Sequence, residues 1–290
     1  MFAEACQKAM RFTRPVITST RTYDGTVTSS CGAFIVLNDE GWILTAGHIF
    51  DSFMAYKDHS RKIKDIEEQN SNKVFDRNRP KVKIDPKWIT NHSFWWGWDA
   101  ARLNDVFVDR KIDIAVGRLQ PFEKKWISEY PTIKDPSKMR PGTSLCKMGF
   151  PFTKINATFD EKTSSFRLAE GTLPLPLFPI EGMHTRNIAV GKNNDGKIDI
   201  LYVETSSPGI RGQSGGPIFD KDCNICGIQL KTNHMPLDFK PEAHVDGRKV
   251  IENQFLNLGV GLHAATITEV LRSRNIDFRS ECDGEYKIIS

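Results

Sequence analysis

The amino-acid sequence predicts an all-β fold, arranged as β-barrels or a sandwich, with one short helix near each end. Three observations carry this expectation. Short runs rich in β-branched and aromatic residues recur along most of the chain. Turn pairs such as Asp24-Gly25 and Asn38-Asp39 separate them, as in strands joined by hairpins. Little helical periodicity appears, and no repeat of roughly 20–50 residues suggests a solenoid. With 290 residues the chain can form one large β unit or two domains. It can bury about three quarters of its unfolded surface without a disulfide or metal staple. The net charge of +4 is too mild to imply nucleic acid. Charged residues at 26% and hydrophobic residues at 39% fit an ordinary globule and exclude long disorder, collagen and membrane-spanning architectures.

Taken in order, residues 2–11 are expected to form a short helix. Val16 to Thr20 and Ala33 to Leu37 read as strands, with turns at Asp24-Gly25 and at Asn38 to Gly41. Residues 57–80 are rich in Lys, Arg, Glu, Asp and Asn, and read as an inserted, solvated helix or loop. Strand-like runs return at 105–119, 143–150, 166–173, 186–191, 197–205, 217–219 and 225–231. Asn193-Asn194-Asp195-Gly196 reads as a hairpin turn; it lacks the first Asp and last Glu of a calcium loop, so no metal is expected there. Residues 232–257, with Pro236, Pro241 and Asp246-Gly247, read as a long polar loop. Thr266 followed by Glu269 is a capping-box pair, so a C-terminal helix is expected to start near Thr266.

The N-terminus has no basic segment followed by an apolar one, so no secretory signal is expected. No run of about 18 apolar residues exists, so no membrane span is expected. The six cysteines, at 6, 31, 146, 223, 226 and 282, are irregularly spaced. They are expected to be reduced and the protein cytoplasmic, with neither membrane nor nucleic-acid partners.

Three segments carry chemistry. Gly41 to His48, Lys111 to Val116 and Gly212 to Pro217 supply a His, an Asp and a Ser in that order. A serine hydroxyl is a poor nucleophile unless a base lies within hydrogen-bond reach and a third group orients that base. His48 can take the Ser214 proton and return it to a leaving group. Asp113, in the apolar run Ile112-Asp113-Ile114-Ala115-Val116, needs a partner, and His48 suits it. The N–H groups of Gly212 and Ser214 can form an oxyanion hole. Gly212-x-Ser214-x-Gly216 also fits the nucleophile elbow of α/β-hydrolases. That fold requires a helix after the serine and the order Ser, Asp, His, whereas Gly215-Gly216-Pro217-Ile218-Phe219 is strand-like and the strong His and Asp come first.

These segments resemble those of the chymotrypsin-fold (trypsin-like) serine peptidases, and in detail the HtrA/DegP-type protease domain. Ser30-Cys31-Gly32-Ala33-Phe34-Ile35-Val36 resembles the strand before the histidine, and Arg140 to Phe152 a stretch of the second barrel. Glu204 to Gly209 resembles the approach to the serine, and Gly259 to Ala264 the last strand. The resemblance covers roughly residues 15–272. It implies two six-stranded antiparallel β-barrels with a C-terminal helix. It makes His48 the general base, Asp113 the orienting carboxylate and Ser214 the nucleophile, with Gly212 and Ser214 as oxyanion-hole donors. The implied organisation is an N-terminal helix or arm (1–14), a first barrel (15–125) with the insertion 57–80, a second barrel with the helix (126–272), and a tail (273–290). The implied function is a serine endopeptidase acting on proteins or peptides without a cofactor or metal. The alternative is a latent or catalytically silent trypsin-like fold that binds proteins.

The sequence departs from the family at several points. Gln213 stands where pancreatic-type enzymes carry the Asp that pairs with a freshly cut N-terminus, so activation by that cut is not expected. Pro208 replaces the trypsin-like pocket Asp, so a neutral or base-rejecting pocket is expected, lined by Pro208, Leu230 and His263. No PDZ domain is expected after residue 272. The separation of His48 and Asp113 exceeds the family's usual one, in keeping with the insertion. Cys223-x-x-Cys226 lacks a second ligand pair, so turn-and-strand cysteines are expected rather than zinc or redox chemistry. Trp88, Trp95, Trp96 and Trp98 are expected to form a local cluster holding the insertion. A narrow target, or an activation step with an activating partner or effector, is the expectation for a lone cytoplasmic protease.

Overall fold

In the computed structural model, residues 2–72, 81–238, 241–245, 248–251, 254–282 and 285–289 are described. Helix α1 (Ala3–Phe12) buries Ala5, Ala9 and Phe12, one face at helical spacing. The first sheet contains β1 (Thr13–Thr22), β2 (Val27–Val36), β3 (Trp42–Ala46), β4 (Ile89–Trp95), β5 (Arg102–Asp109) and β6 (Ile114–Gln120). Its order is β4-β1-β2-β3-β6-β5, all antiparallel. Asp24-Gly25 makes the β1–β2 turn: Gly25 has φ +88°, and the Asp24 carboxylate accepts the Thr26 N–H at 3.0 Å. The run 105–119 is two strands, because the Asp109 carboxylate accepts the Lys111 and Ile112 N–H groups and turns the chain.

The second sheet is larger. Its strands and their outlying hairpins are β7 (Thr132–Ile133), β8 (Ser144–Gly149), β9 (Ala157–Asp160), β10 (Ser165–Leu168), β11 (Phe178–Lys192), β12 (Asp199–Thr205), β13 (Pro217–Phe219), β14 (Asn224–Pro236), β15 (Glu242–Val245), β16 (Arg248–Ile251), β17 (Phe255–His263), β18 (Phe278–Cys282) and β19 (Glu285–Ile289). Because β13 pairs with both β8 and β14, the order β13-β8-β11-β12-β17-β14 closes into a six-stranded ring. β7, β18 and β19 extend the sheet beyond β14, with β7 parallel to both β14 and β18. Two curled sheets thus form a double barrel, as expected, the first left open between β4 and β5.

Several expectations are corrected. Residues 273–290 are not a free tail: β18 joins the second sheet through β7. Residues 232–257 are not one loop: β14 and β17 pair out to Pro236 and Phe255, and β15–β16 form a hairpin beyond. Asp246-Gly247 lies outside the described residues. Helix α3 (Ala264–Ser273) starts two residues before Thr266. His263 caps it, its ring Nδ1 accepting the Ala265 N–H, while the Thr266 hydroxyl donates to Asp199 O. The insertion forms helix α2 (Asp51–Asn72), and residues 73–80 lie outside the described part. His59 of α2 stacks on Trp88 and accepts the Ile89 N–H, docking the helix on β4. The tryptophans are only partly clustered: Trp96 and Trp98 both meet Phe34, Trp88 stacks on His59 of α2, and Trp95 packs against a separate cluster with Ile17 and Ala33. The Asn193–Gly196 turn joins β11 to β12 as expected.

One contiguous core spans both sheets. Phe34, Leu44 and Val116 of the first share it with Phe219, Ile228 and Leu262 of the second, and with Ile267, Val270 and Leu271 of α3. Among the described residues no helix is long and apolar enough to cross a membrane.

Candidate active site

His48 follows β3 on a one-turn 3₁₀ helix, Gly47–Phe50. Asp113 lies on the turn before β6, one residue outside the apolar strand where the sequence placed it. Register brings the two together, because Ala46 pairs with Ile114. Gly47 permits the close approach: a Cβ there would sit 3.0 Å from Ile114 N and 3.2 Å from the Asp113 carbonyl carbon. The His48 ring Nδ1 lies 2.9 Å from Asp113 Oδ2, and the His48 backbone N–H donates to Oδ1 at 2.7 Å. Arg110 Nη1 donates to the same Oδ1 at 2.7 Å while its guanidinium also pairs with Asp51 at the start of α2. Burial pushes the Asp113 carboxyl upward. The His48 hydrogen bonds and the Arg110 charge outweigh it and hold the group below the ordinary carboxylate range. Asp113 has φ +64°, a left-handed conformation that Asp tolerates better than most side chains.

Ser214 comes from the second barrel. Its carbonyl accepts the Ala33 N–H of β2 at 2.8 Å. The next residue, Gly215, packs on the end of β3; at φ +80°, a Cβ there would sit 2.2 Å from Thr45 Oγ1 and 2.9 Å from Ala46 N. The Ser214 segment therefore abuts β3 two residues before His48. Phe150 N–H donates to Gly212 O at 2.9 Å, and Gly215 N–H donates to Gln229 O at 2.8 Å. Gln213 is fully buried. Its side-chain carbonyl accepts the Ile210 N–H and its amide donates to Phe178 O, so a neutral side chain anchors this loop.

Gly212 has φ +96°, and a Cβ there would meet Phe150 O at 2.3 Å, so only glycine fits. The Gly212 and Ser214 N–H groups donate to no acceptor among the described residues, although Gly212 is buried and Gln213 between them is bonded. Two unspent donors two residues apart can receive an oxygen that gains negative charge. Among the described residues the Ser214 hydroxyl makes no hydrogen bond, to His48 Nε2 or to any other group. Such contacts often tighten only when substrate is bound.

Beside Ser214 opens a cleft of about 320 Å³. Pro208 and Leu230 line it, as expected from the sequence. His263 does not: its ring is buried and caps α3, and burial lowers its pKa to about 4. Sequence reasoning missed three residues. Arg110 holds Asp113. Gln229 is buried against Gly209 and lines the cleft. Lys147 of β8 is fully buried, and its ammonium donates to Ser207 O, to Pro208 O at 2.8 Å and to Thr205 Oγ1 at 3.0 Å. Burial lowers its pKa to about 7. The available signal was positional: in β8, Lys147 shares the inward face with Leu145. Cys223 and Cys226 are buried, Cys223 in the turn before β14 and Cys226 within it. Among the described residues no group of three or more His, Cys, Asp or Glu could hold a metal.

No curated protein matches the sequence. Solved structures align along most of the chain. The HtrA-type protease AlgW with a tripeptide aligns over 94% of this chain at 15% identity with a TM-score of 0.49. The chain spans only 63% of that protein's length. The active form of the Rv3671c protease from M. tuberculosis aligns over 92% of this chain and 82% of its own, at 12% identity and a TM-score of 0.48. The family described as the trypsin-like peptidase domain matches residues 31–228, a span that contains His48, Asp113 and Ser214. By that match over more than half its length, the chain belongs to the trypsin-like peptidase family.

Proposed function

We propose that this protein is a serine endopeptidase that cleaves protein or peptide substrates through an acyl-enzyme on Ser214. The observation that carries the reading is the pair of unspent N–H donors at Gly212 and Ser214, beside the hydrogen-bonded His48–Asp113 pair. His48 Nε2 takes the Ser214 proton as Oγ bonds to the scissile carbonyl carbon. The oxygen gains negative charge and receives the two N–H groups. The C–N bond breaks, the proton passes from His48 to the departing amine, and an ester remains on Ser214. Water then adds with His48 as base, releasing the acid and restoring the serine. Asp113 fixes the ring tautomer and stabilises the imidazolium, and Arg110 keeps Asp113 ionised. The unpaired thiols of Cys6, Cys31, Cys146, Cys223 and Cys226 suit a reducing, cytoplasmic setting, which belongs to the same proposal.

A second reading, a latent or silent module, is favoured by one observation: the Ser214 hydroxyl has no hydrogen bond to His48. Labelling with a fluorophosphonate separates the two. In that reaction the Ser214 oxygen bonds to phosphorus and fluoride leaves. The peptidase reading expects labelling mapped to Ser214 and lost in Ser214→Ala and His48→Ala. An unlabelled, well-folded protein would support the silent module.

A further inference from the structure

The cleft beside Ser214 is cationic. Arg211 and Lys231 both line it, together with Pro208, Gln229 and Leu230, and no carboxylate does. Neither cation makes an ion pair among the described residues. Lys231 lies over the Tyr202 ring, 5.8 Å from its centroid, and Arg211 has no polar partner. Behind the Pro208 wall, the buried ammonium of Lys147 donates only to uncharged oxygens. Elsewhere in the molecule cations are commonly paired: Arg186 with Glu204, Lys134 with Asp220 and Glu281, Arg110 with Asp51 and Asp113. A concave, polar site lined by unpaired charge of one sign attracts the opposite sign.

We propose that this cleft receives the side chain of an acidic residue, so that cleavage follows glutamate or aspartate, with Arg211 and Lys231 as the specificity-determining residues. The proposal rests on the peptidase reading of Ser214. A lysine or arginine side chain entering the same cleft meets like charge and is rejected. One feature pulls the other way: the buried Gln229 Oε1 has no hydrogen-bond partner and would favour a carboxamide donor. The comparison of glutamate with glutamine is therefore the discriminating one.

The test uses the full chain and a set of peptides that differ only at the residue on the acyl side of the scissile bond: Glu, Gln, Leu or Lys. The expected result is a kcat/KM for Glu at least about tenfold above Gln and Leu, with Lys lowest; tenfold corresponds to ~1.4 kcal/mol. The charge reversals Arg211→Glu and Lys231→Glu should each lower the Glu-to-Leu ratio about tenfold and raise the Lys-to-Leu ratio. If a reversal fails to fold, Lys231→Met should still lower the Glu-to-Leu ratio. Equal or better cleavage after Gln or Leu overturns the proposal, as does a protein that labels with fluorophosphonate yet leaves the Glu peptide intact. Absence of both labelling and cleavage overturns the Ser214 reading itself, and this proposal with it.

Discussion

The two barrels bury different chemistry. In the first, the buried polar side chains are Thr13, Thr18, Ser19 and Thr45, all small neutral hydroxyls. The second buries Lys147, Glu204, Gln213, Gln229 and His263. The first barrel positions His48 and Asp113 chiefly by strand register: β3 and β6 end side by side, the pair bonds to itself, and Arg110 adds one bond to Asp113. The second has to hold a loop, Pro208 to Gly216, with the Gly212 and Ser214 N–H groups unspent. Buried groups that bond the loop's backbone do this: Gln213 takes Ile210 N–H, and Lys147 grips Ser207 and Pro208. A site placed by register needs little buried polarity, whereas one built from a loop needs a great deal of it.

That contrast can be broken in graded steps. Removing the base should do most: His48→Ala should lower kcat/KM by about 10⁴-fold or more, with the fold intact by circular dichroism. Gly212→Ala is next. Its Cβ would meet Phe150 O at 2.3 Å in a left-handed backbone, so the loop must shift and misaim one donor. Loss of one such donor costs roughly 10²–10³ in rate, read as slower fluorophosphonate labelling. Unchanged labelling would show that these N–H groups are idle.

Lys147→Met tests the buried charge of the second barrel. With its folded pKa lowered to about 7, the native state binds fewer protons than the unfolded chain between about pH 7 and the free-lysine value near 10.4. Stability should therefore rise with pH across that window in the wild type, by a few kcal/mol. In Lys147→Met the slope should flatten, whatever happens to its overall level. The smallest effect belongs to the first barrel. Arg110 is half exposed, so Arg110→Ala should lower kcat less than about tenfold, with KM little changed. Asp113 ionisation stabilises the fold fully above pH ~4 and is lost as pH falls through its depressed folded value. Without Arg110 the folded value lies closer to the unfolded one, so this contribution should shrink and its loss should be complete at a higher pH, visible as a shallower acid-denaturation profile.

The sequence made the candidate site's three central residues readable, in both barrels. His48, Asp113 and Ser214 each sit in short motifs whose glycines and apolar neighbours mark them out. The antiparallel hairpins at Asp24-Gly25 and Asn193 to Gly196 announced themselves by turn chemistry. What stayed hidden were residues whose role depends on tertiary neighbours. Arg110 is one arginine among many until β5 and α2 converge on it. Lys147 reads as a surface lysine unless its strand phase is taken literally. His263 was placed in the pocket because β17 borders it, but the strand ends there and the ring serves as the cap of α3. The segment 232–257 read as loop because prolines and polar residues obscure a long two-stranded extension.

The measurement that tests the central claim most directly is turnover of unfolded casein by the wild type beside Ser214→Ala. The wild type should release fragments, and the variant should leave the substrate intact. Equal cleavage by both, or none by a folded wild type, would contradict it.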